Sequence, residues 1–334
     1  MSEREELIAG FLAGTRWAKA QREPLAGDAS SRRYERLNDP QTGATAVLMD
    51  APPDQGEDVR PFVRIANHLR DLGLSAPEIL AEDTENGFLL LEDLGDDLFA
   101  RLLNTTPKQE NDLYRAATDV LIALHNTDPP ELKTYTPPIM AEMTDLAFTH
   151  YRAAIWGRSE PQLQERFQQR FTDILSQSVQ SEPVLVLRDY HAENLLWLPK
   201  RDGIARVGLL DFQDAVLGHP AYDLVSLLQD VRRDVSVAVE QVMLTHYIKQ
   251  TDADDHRFRR AYAVLGVQRN LRILGVFARL ARERNKPYYL TLMPRVWEHL
   301  TRGLDHPALA PVAELLTREL PPPTPENLDR LKTA

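Results

Sequence analysis

The spacing of apolar residues changes character after about Leu94. Up to that point short apolar runs are broken by turn residues, which predicts strands. Thr45 to Met49 follows the turn Asn38-Asp39-Pro40-Gln41-Thr42-Gly43, and Glu78 to Ala81 and Phe88 to Leu91 flank Asp83-Thr84-Glu85-Asn86-Gly87. Leu25 to Tyr34 holds a turn of small residues between two further candidate strands. Helical spacing appears twice here, at Leu7, Phe11 and Leu12, and at Val59, Phe62, Val63, Ala66 and Leu69. Beyond Leu94 helical periods dominate. Thr106-Pro107-Lys108-Gln109 forms a capping box ahead of Leu113, Ala117, Val120, Leu121 and Leu124. Further helices are expected over 139–155, to about Ser176, and over 222–231 and 235–248. The longest periodic stretch, His256 to Glu283, has Leu265, Ile273, Val276 and Leu280 on its apolar side. Arg269, Arg272 and Arg279 share another face, one that could bind an anionic substituent if it lines a cleft. Residues 321–325 read as a polyproline segment with a loosely ordered end. The pattern predicts a two-lobed α+β protein: a sheet-rich lobe over 1–94, a helical lobe over 95–320 and a proline-rich tail over 321–334.

The helical lobe is interrupted by three short apolar runs, and these carry the candidate chemistry. Val184 to Leu187 is a strand with Asp189 on the loop just past it, and Asn194 follows five positions later. Leu195 to Leu198, the turn Lys200-Arg201-Asp202-Gly203 and Val207 to Leu210 predict a hairpin that brings Asn194 and Asp211 towards one end. Asp, Asn and Asp in one loop cluster suit Mg²⁺, which takes one or two carboxylates and leaves other positions to water and phosphate oxygens. One carboxylate then remains as a base.

Leu187-Arg188-Asp189-Tyr190-His191-Ala192-Glu193-Asn194 and Asp211-Phe212-Gln213 resemble the catalytic core of protein-kinase-like enzymes. Gln213 departs from the Gly of that pattern. With Asp214 and the run Gly218-His219-Pro220-Ala221-Tyr222-Asp223-Leu224, the chain resembles the aminoglycoside phosphotransferase branch, whose members phosphorylate small molecules. Leu48-Met49-Asp50-Ala51-Pro52-Pro53, Gly27-Asp28-Ala29-Ser30, Leu209 to Ala215, and Gln268 to Gly275 extend the likeness over nearly the whole chain. Together they look like the anomeric N-acetylmuramate/N-acetylglucosamine kinases of bacterial cell-wall recycling. That resemblance implies ATP and Mg²⁺, an amino-sugar acceptor, Asp189 as catalytic base, and Asn194 and Asp211 as metal ligands. It implies a phosphate-covering loop at Gly27, Ser30 and Ser31, and a hinge at Glu92 and Leu94 whose backbone pairs with adenine. Met49 stands where protein kinases carry a phosphate-binding Lys, so Arg32 and Arg33 are the candidate replacements. Glu142, His191, Gln213 and Arg269 are the candidate acceptor wall. A protein kinase is disfavoured, since no Ala-Pro-Glu segment follows Asp211. A kinase of another small alcohol, of the aminoglycoside, choline or homoserine type, and a nucleotide-binding pseudokinase remain as alternatives.

Composition narrows the class further. The 334 residues hold no Cys, which excludes disulfides, thiolate metal sites and a Cys nucleophile. With no signal-like N-terminus, this favours a reducing cytoplasm. No apolar run reaches the ~18 residues of a membrane span. Lys plus Arg is 39 against 50 for Asp plus Glu, and a net charge of −11 makes nucleic acid an improbable ligand. The pattern fixes no oligomeric state.

Overall fold

A computed structural model describes residues 3–25 and 31–332. It divides into two units. The first comprises Met1–Gln109 and Ala192–Ala215; the second comprises Glu110–His191 and Val216–Ala334.

In the first unit an antiparallel sheet holds β1 (Gln21–Leu25), β2 (Arg33–Asn38), β3 (Thr45–Asp50), β4 (Ile79–Asp83) and β5 (Phe88–Glu92), in the order β1-β2-β3-β5-β4. β5 is apolar at Phe88, Leu89, Leu90 and Leu91 in succession, and all four are buried. Such a run arises where both faces of a strand are covered. Phe88 and Leu90 pack with Ile8, Leu12, Trp17, Leu37 and Leu48, so the helix Glu3–Ala13 covers one face. The two-residue period of a strand turns Leu89 and Leu91 to the other. Gly87 makes the tight entry to β5 possible. Its φ is +74°, and a Cβ there would lie 2.0 Å from the carbonyl oxygen of Ala51.

The predicted hairpin forms as β7 (Leu195–Trp197) and β8 (Val207–Leu209), with Leu195 opposite Leu209. It belongs to the first unit although it follows residue 94 by about a hundred positions. The physical reason is where its outer edges find partners. Ser75 donates its hydroxyl to the Ala205 carbonyl at 2.6 Å and accepts the Leu209 N–H at 2.9 Å. Trp197 donates its N–H to Asp97 at 2.8 Å and sets its ring edge-on to Phe99.

In the second unit β6 (Val184–Val186) pairs with β9 (Val216–Gly218), a strand too short to register as a pattern. The helix Asp255–Glu283 starts at Asp254, whose side chain accepts the Arg257 N–H at 2.8 Å. Leu265, Leu271, Leu274 and Ala278 on this helix are buried, and so are Gln268, Arg269 and Asn270. The expected helix over 139–155 is broken into Pro137–Glu142, a π-helical turn Ala147–Arg152 and Ala153–Trp156. The turn lies directly on the long helix at Gly275, where a Cβ would sit 2.2 Å from the Leu146 carbonyl carbon.

The tail corrects a second expectation. Tyr151 donates its hydroxyl to the Pro321 carbonyl at 2.7 Å, Thr324 caps a short helix Pro325–Arg330, and Leu331 is fully buried. Leu328 and Leu331, three apart, form an apolar pair that packs with Tyr151, Ile155 and Leu274. That burial anchors residues whose terminal position suggested loose order.

Candidate active site

Asp189 lies in the second unit, just past β6, and its loop is held from behind. The buried carboxylate of Asp223 accepts the N–H of Leu187 at 2.6 Å and of Arg188 at 2.9 Å. Tyr190 donates its hydroxyl to the Ala117 carbonyl at 2.8 Å. Between these anchors Arg188 adopts φ +71°, a left-handed conformation that costs a non-glycine residue on the order of 1 kcal/mol or more. Burial pushes the Asp223 carboxyl up to about 7, against the pull of its two N–H partners. Sequence reasoning quoted Asp223 only as part of a motif and assigned it no role. Its position two residues into a helix, after His219-Pro220, was the available signal.

Burial alone would raise the Asp189 pKa. The Arg269 guanidinium, with Nη2 at 3.6 Å, leads a group of neighbours that includes Arg188 and Arg272 and that outweighs this effect and lowers it. Asp189 is therefore ionised at neutral pH. Arg269 is nearly enclosed and lies over the Tyr222 ring at 5.8 Å. His191 is buried, and its Nε2 faces Arg232 Nη1 at 3.1 Å. Because Arg has only donors, Nε2 accepts and the ring proton sits on Nδ1. Burial and the Arg232 charge press the His191 pKa down to about 3, so the ring is neutral. Glu142 is exposed at the end of Pro137–Glu142.

The other candidates lie in the first unit. Asn194 accepts the Leu210 N–H on its carbonyl at 3.0 Å, which fixes it at the open end of the hairpin. Its Nδ2 donates to Asp211 Oδ2 at 3.3 Å, while Gln213 Nε2 donates to Asp211 Oδ1 at 2.7 Å. Gln213 thus orients the Asp211 carboxylate. Asp211 itself has φ +57°, and the next side chain, Phe212, is buried against Phe62 with ring centroids 4.7 Å apart. Among the described residues no three His, Cys, Asp or Glu side chains form a metal cage. A carboxylate and a carboxamide beside it are the open oxygen set that Mg²⁺ uses when phosphates complete its shell, so the residues fit the ion.

Of the nucleotide candidates, Gly27 and Ser30 lie outside the described residues. The Ser31 N–H donates to Glu57 Oε1 at 3.2 Å, and Arg32 Nε pairs with Glu57 Oε2 at 2.8 Å. A phosphate would have to compete with Glu57 for Arg32. Arg33 is exposed at the start of β2, and Met49 is buried in β3. The Glu92 N–H is spent within the sheet on the Glu78 carbonyl at 2.8 Å, and its carboxylate pairs with Arg201. Leu94 packs over Gly208, where a Cβ would meet its Cδ1 at 3.2 Å.

A family model described as the phosphotransferase enzyme family matches residues 21–263. The chain belongs to that family. Among phosphotransferase relatives, the N-acetylmuramate/N-acetylglucosamine kinase of Caulobacter vibrioides is 38% identical over 96% of this chain and 98% of its own. The kinase of the same name from Pseudomonas aeruginosa is 36% identical over 88% of this chain and 87% of its own. Choline kinase LicA from Streptococcus pneumoniae has a TM-score of 0.61 at 15% identity, covering 90% of this chain and 100% of that one. The GDP complex of aminoglycoside 2'-phosphotransferase-IIIa has a TM-score of 0.64 at 12% identity, covering 90% and 99%. The phosphotransferase chain therefore has the protein-kinase-like α+β fold. No helix among its described residues is long and apolar enough to cross a membrane.

Proposed function

We propose that this phosphotransferase moves the γ-phosphoryl group of ATP to the anomeric hydroxyl of N-acetylmuramate or N-acetylglucosamine. The observation that carries the reading is the 38% identity, over almost the full length of both chains, to a relative named for those two sugars. In the transfer the anomeric oxygen bonds to the γ-phosphorus, the bond to the β-phosphate oxygen breaks, and ADP leaves. The hydroxyl proton goes to Asp189. A carboxylate held ionised by Arg269 is a weak base, so it takes the proton late, once the new P–O bond has made the hydroxyl acidic. The anomeric hydroxyl is the most acidic on the ring and suits such a base best. Asn194 and Asp211 would hold Mg²⁺, which when bound offsets the charge on the phosphate oxygens. ATP as donor makes the cytoplasm the compartment of this reaction.

Incubation with Mg²⁺-ATP and either sugar is expected to give a product whose ³¹P signal couples to the anomeric proton and which no longer reduces copper reagents. A 6-phosphate would overturn the regiochemistry. Phosphorylation of choline or an aminoglycoside, with both sugars refused, would overturn the acceptor class.

A further inference from the structure

Arg269 and Arg272 are three residues apart on the helix Asp255–Glu283 and so are surface neighbours on one side of it. Arg269 turns one nitrogen to Asp189, and its other, Nη1, is buried with no hydrogen-bond partner among the described residues. Arg272 is half-buried and makes no hydrogen bond or ion pair among the described residues, although its charge reaches both Asp189 and Tyr135. Two tyrosines complete the surroundings. Tyr135 and Tyr222 meet edge to face with centroids 5.9 Å apart, and Arg188 lies over the Tyr135 ring at 5.6 Å. The Tyr222 hydroxyl is buried and has no hydrogen-bond partner among the described residues.

The charges of Arg188, Arg269 and Arg272 thus all act on the Asp189 carboxylate, and Arg269 also acts on that of Asp223. A buried guanidinium edge left without a partner is unfavourable unless an acceptor answers it. The planar, two-toothed edge of a guanidinium matches a carboxylate in particular. Of the two acceptors, only N-acetylmuramate carries an anion, the lactyl carboxylate on O3, two ring carbons from the reacting C1. We propose that Arg272, together with the unpartnered edge of Arg269, binds the carboxylate of the acceptor, so that the site selects N-acetylmuramate over N-acetylglucosamine. This rests on the sugar-kinase reading above and adds to it the group that is recognised.

The test compares wild-type kinetics on N-acetylmuramate, its methyl ester and N-acetylglucosamine. Loss of a charge-assisted pair corresponds to roughly ten- to hundredfold in affinity, so the KM for the ester should exceed that for the acid by about this factor. In Arg272→Gln the ratio of kcat/KM for N-acetylmuramate to that for N-acetylglucosamine should fall by a similar factor, and Arg272→Lys should restore part of it. Equal handling of acid and ester by the wild type would overturn the proposal. So would an unchanged ratio in Arg272→Gln, including an equal loss on both sugars. A wild-type protein that phosphorylates neither sugar overturns the sugar-kinase reading first, and this one with it.

Discussion

At Asp189 burial and charge act in opposite directions, and the neighbouring arginines prevail. Asp189→Asn keeps the size and polarity of the side chain but cannot accept a proton. Its kcat is expected to fall by roughly 10²–10⁴-fold, the usual contribution of general base catalysis, with ATP affinity retained. Coupled ADP release and calorimetry measure the two, and near-wild-type turnover would remove Asp189 from the chemistry. The candidates Asp189, Asn194 and Asp211 stood out in the sequence because each is a polar residue flanking an apolar run, at a fixed interval from the next. Their partners did not. Asp223 acts through two backbone N–H groups, and Arg32 meets Glu57 across 25 positions of chain, so neither contact leaves a local pattern. Gln213 was legible as a departure from Gly, but its bond to Asp211 is a matter of side-chain geometry.

Among the elements, the contact between the π-helical turn Ala147–Arg152 and the long helix depends on Gly275 having no side chain. Gly275 lies in regular helix, where Ala is otherwise the better residue by about 1 kcal/mol. Gly275→Ala should nonetheless destabilise, because the added methyl meets backbone atoms that cannot rotate away. Overpacking of this kind costs about 1–3 kcal/mol, enough to lower the unfolding midpoint by several degrees. A thermal melt at or above the wild-type midpoint would show that the turn can retreat. The strands of the first sheet were legible from their short apolar runs and the turns between them. β9 and the helix Pro325–Arg330 were not, since three residues carry no period and the burial of Leu331 depends on Tyr151 and Ile155, far away in sequence.

For the whole molecule, Asp223 links stability to pH. An ordinary Asp loses its proton near pH 4. Asp223 in the fold does so at about 7. Between these values the native state holds a proton that the unfolded chain has shed, so the contribution of this group is complete below about pH 4 and is lost as pH rises to about 7. The unfolding free energy of the wild type relative to Asp223→Asn should therefore decline across that window in urea titrations, and a flat difference would contradict the assignment. The layout of the chain has a different kind of consequence. The first unit is assembled from Met1–Gln109 and Ala192–Ala215, with the first part of the second unit encoded in between. Gene order and folded unit therefore do not coincide. A crossover that exchanges only the first 109 residues between two relatives separates Ser75 from Ala205 and Phe99 from Trp197, leaving mismatched halves of one packed body. Diversification by fragment exchange is disfavoured at that joint, and an exchange that carries the hairpin along with the sheet keeps the unit whole.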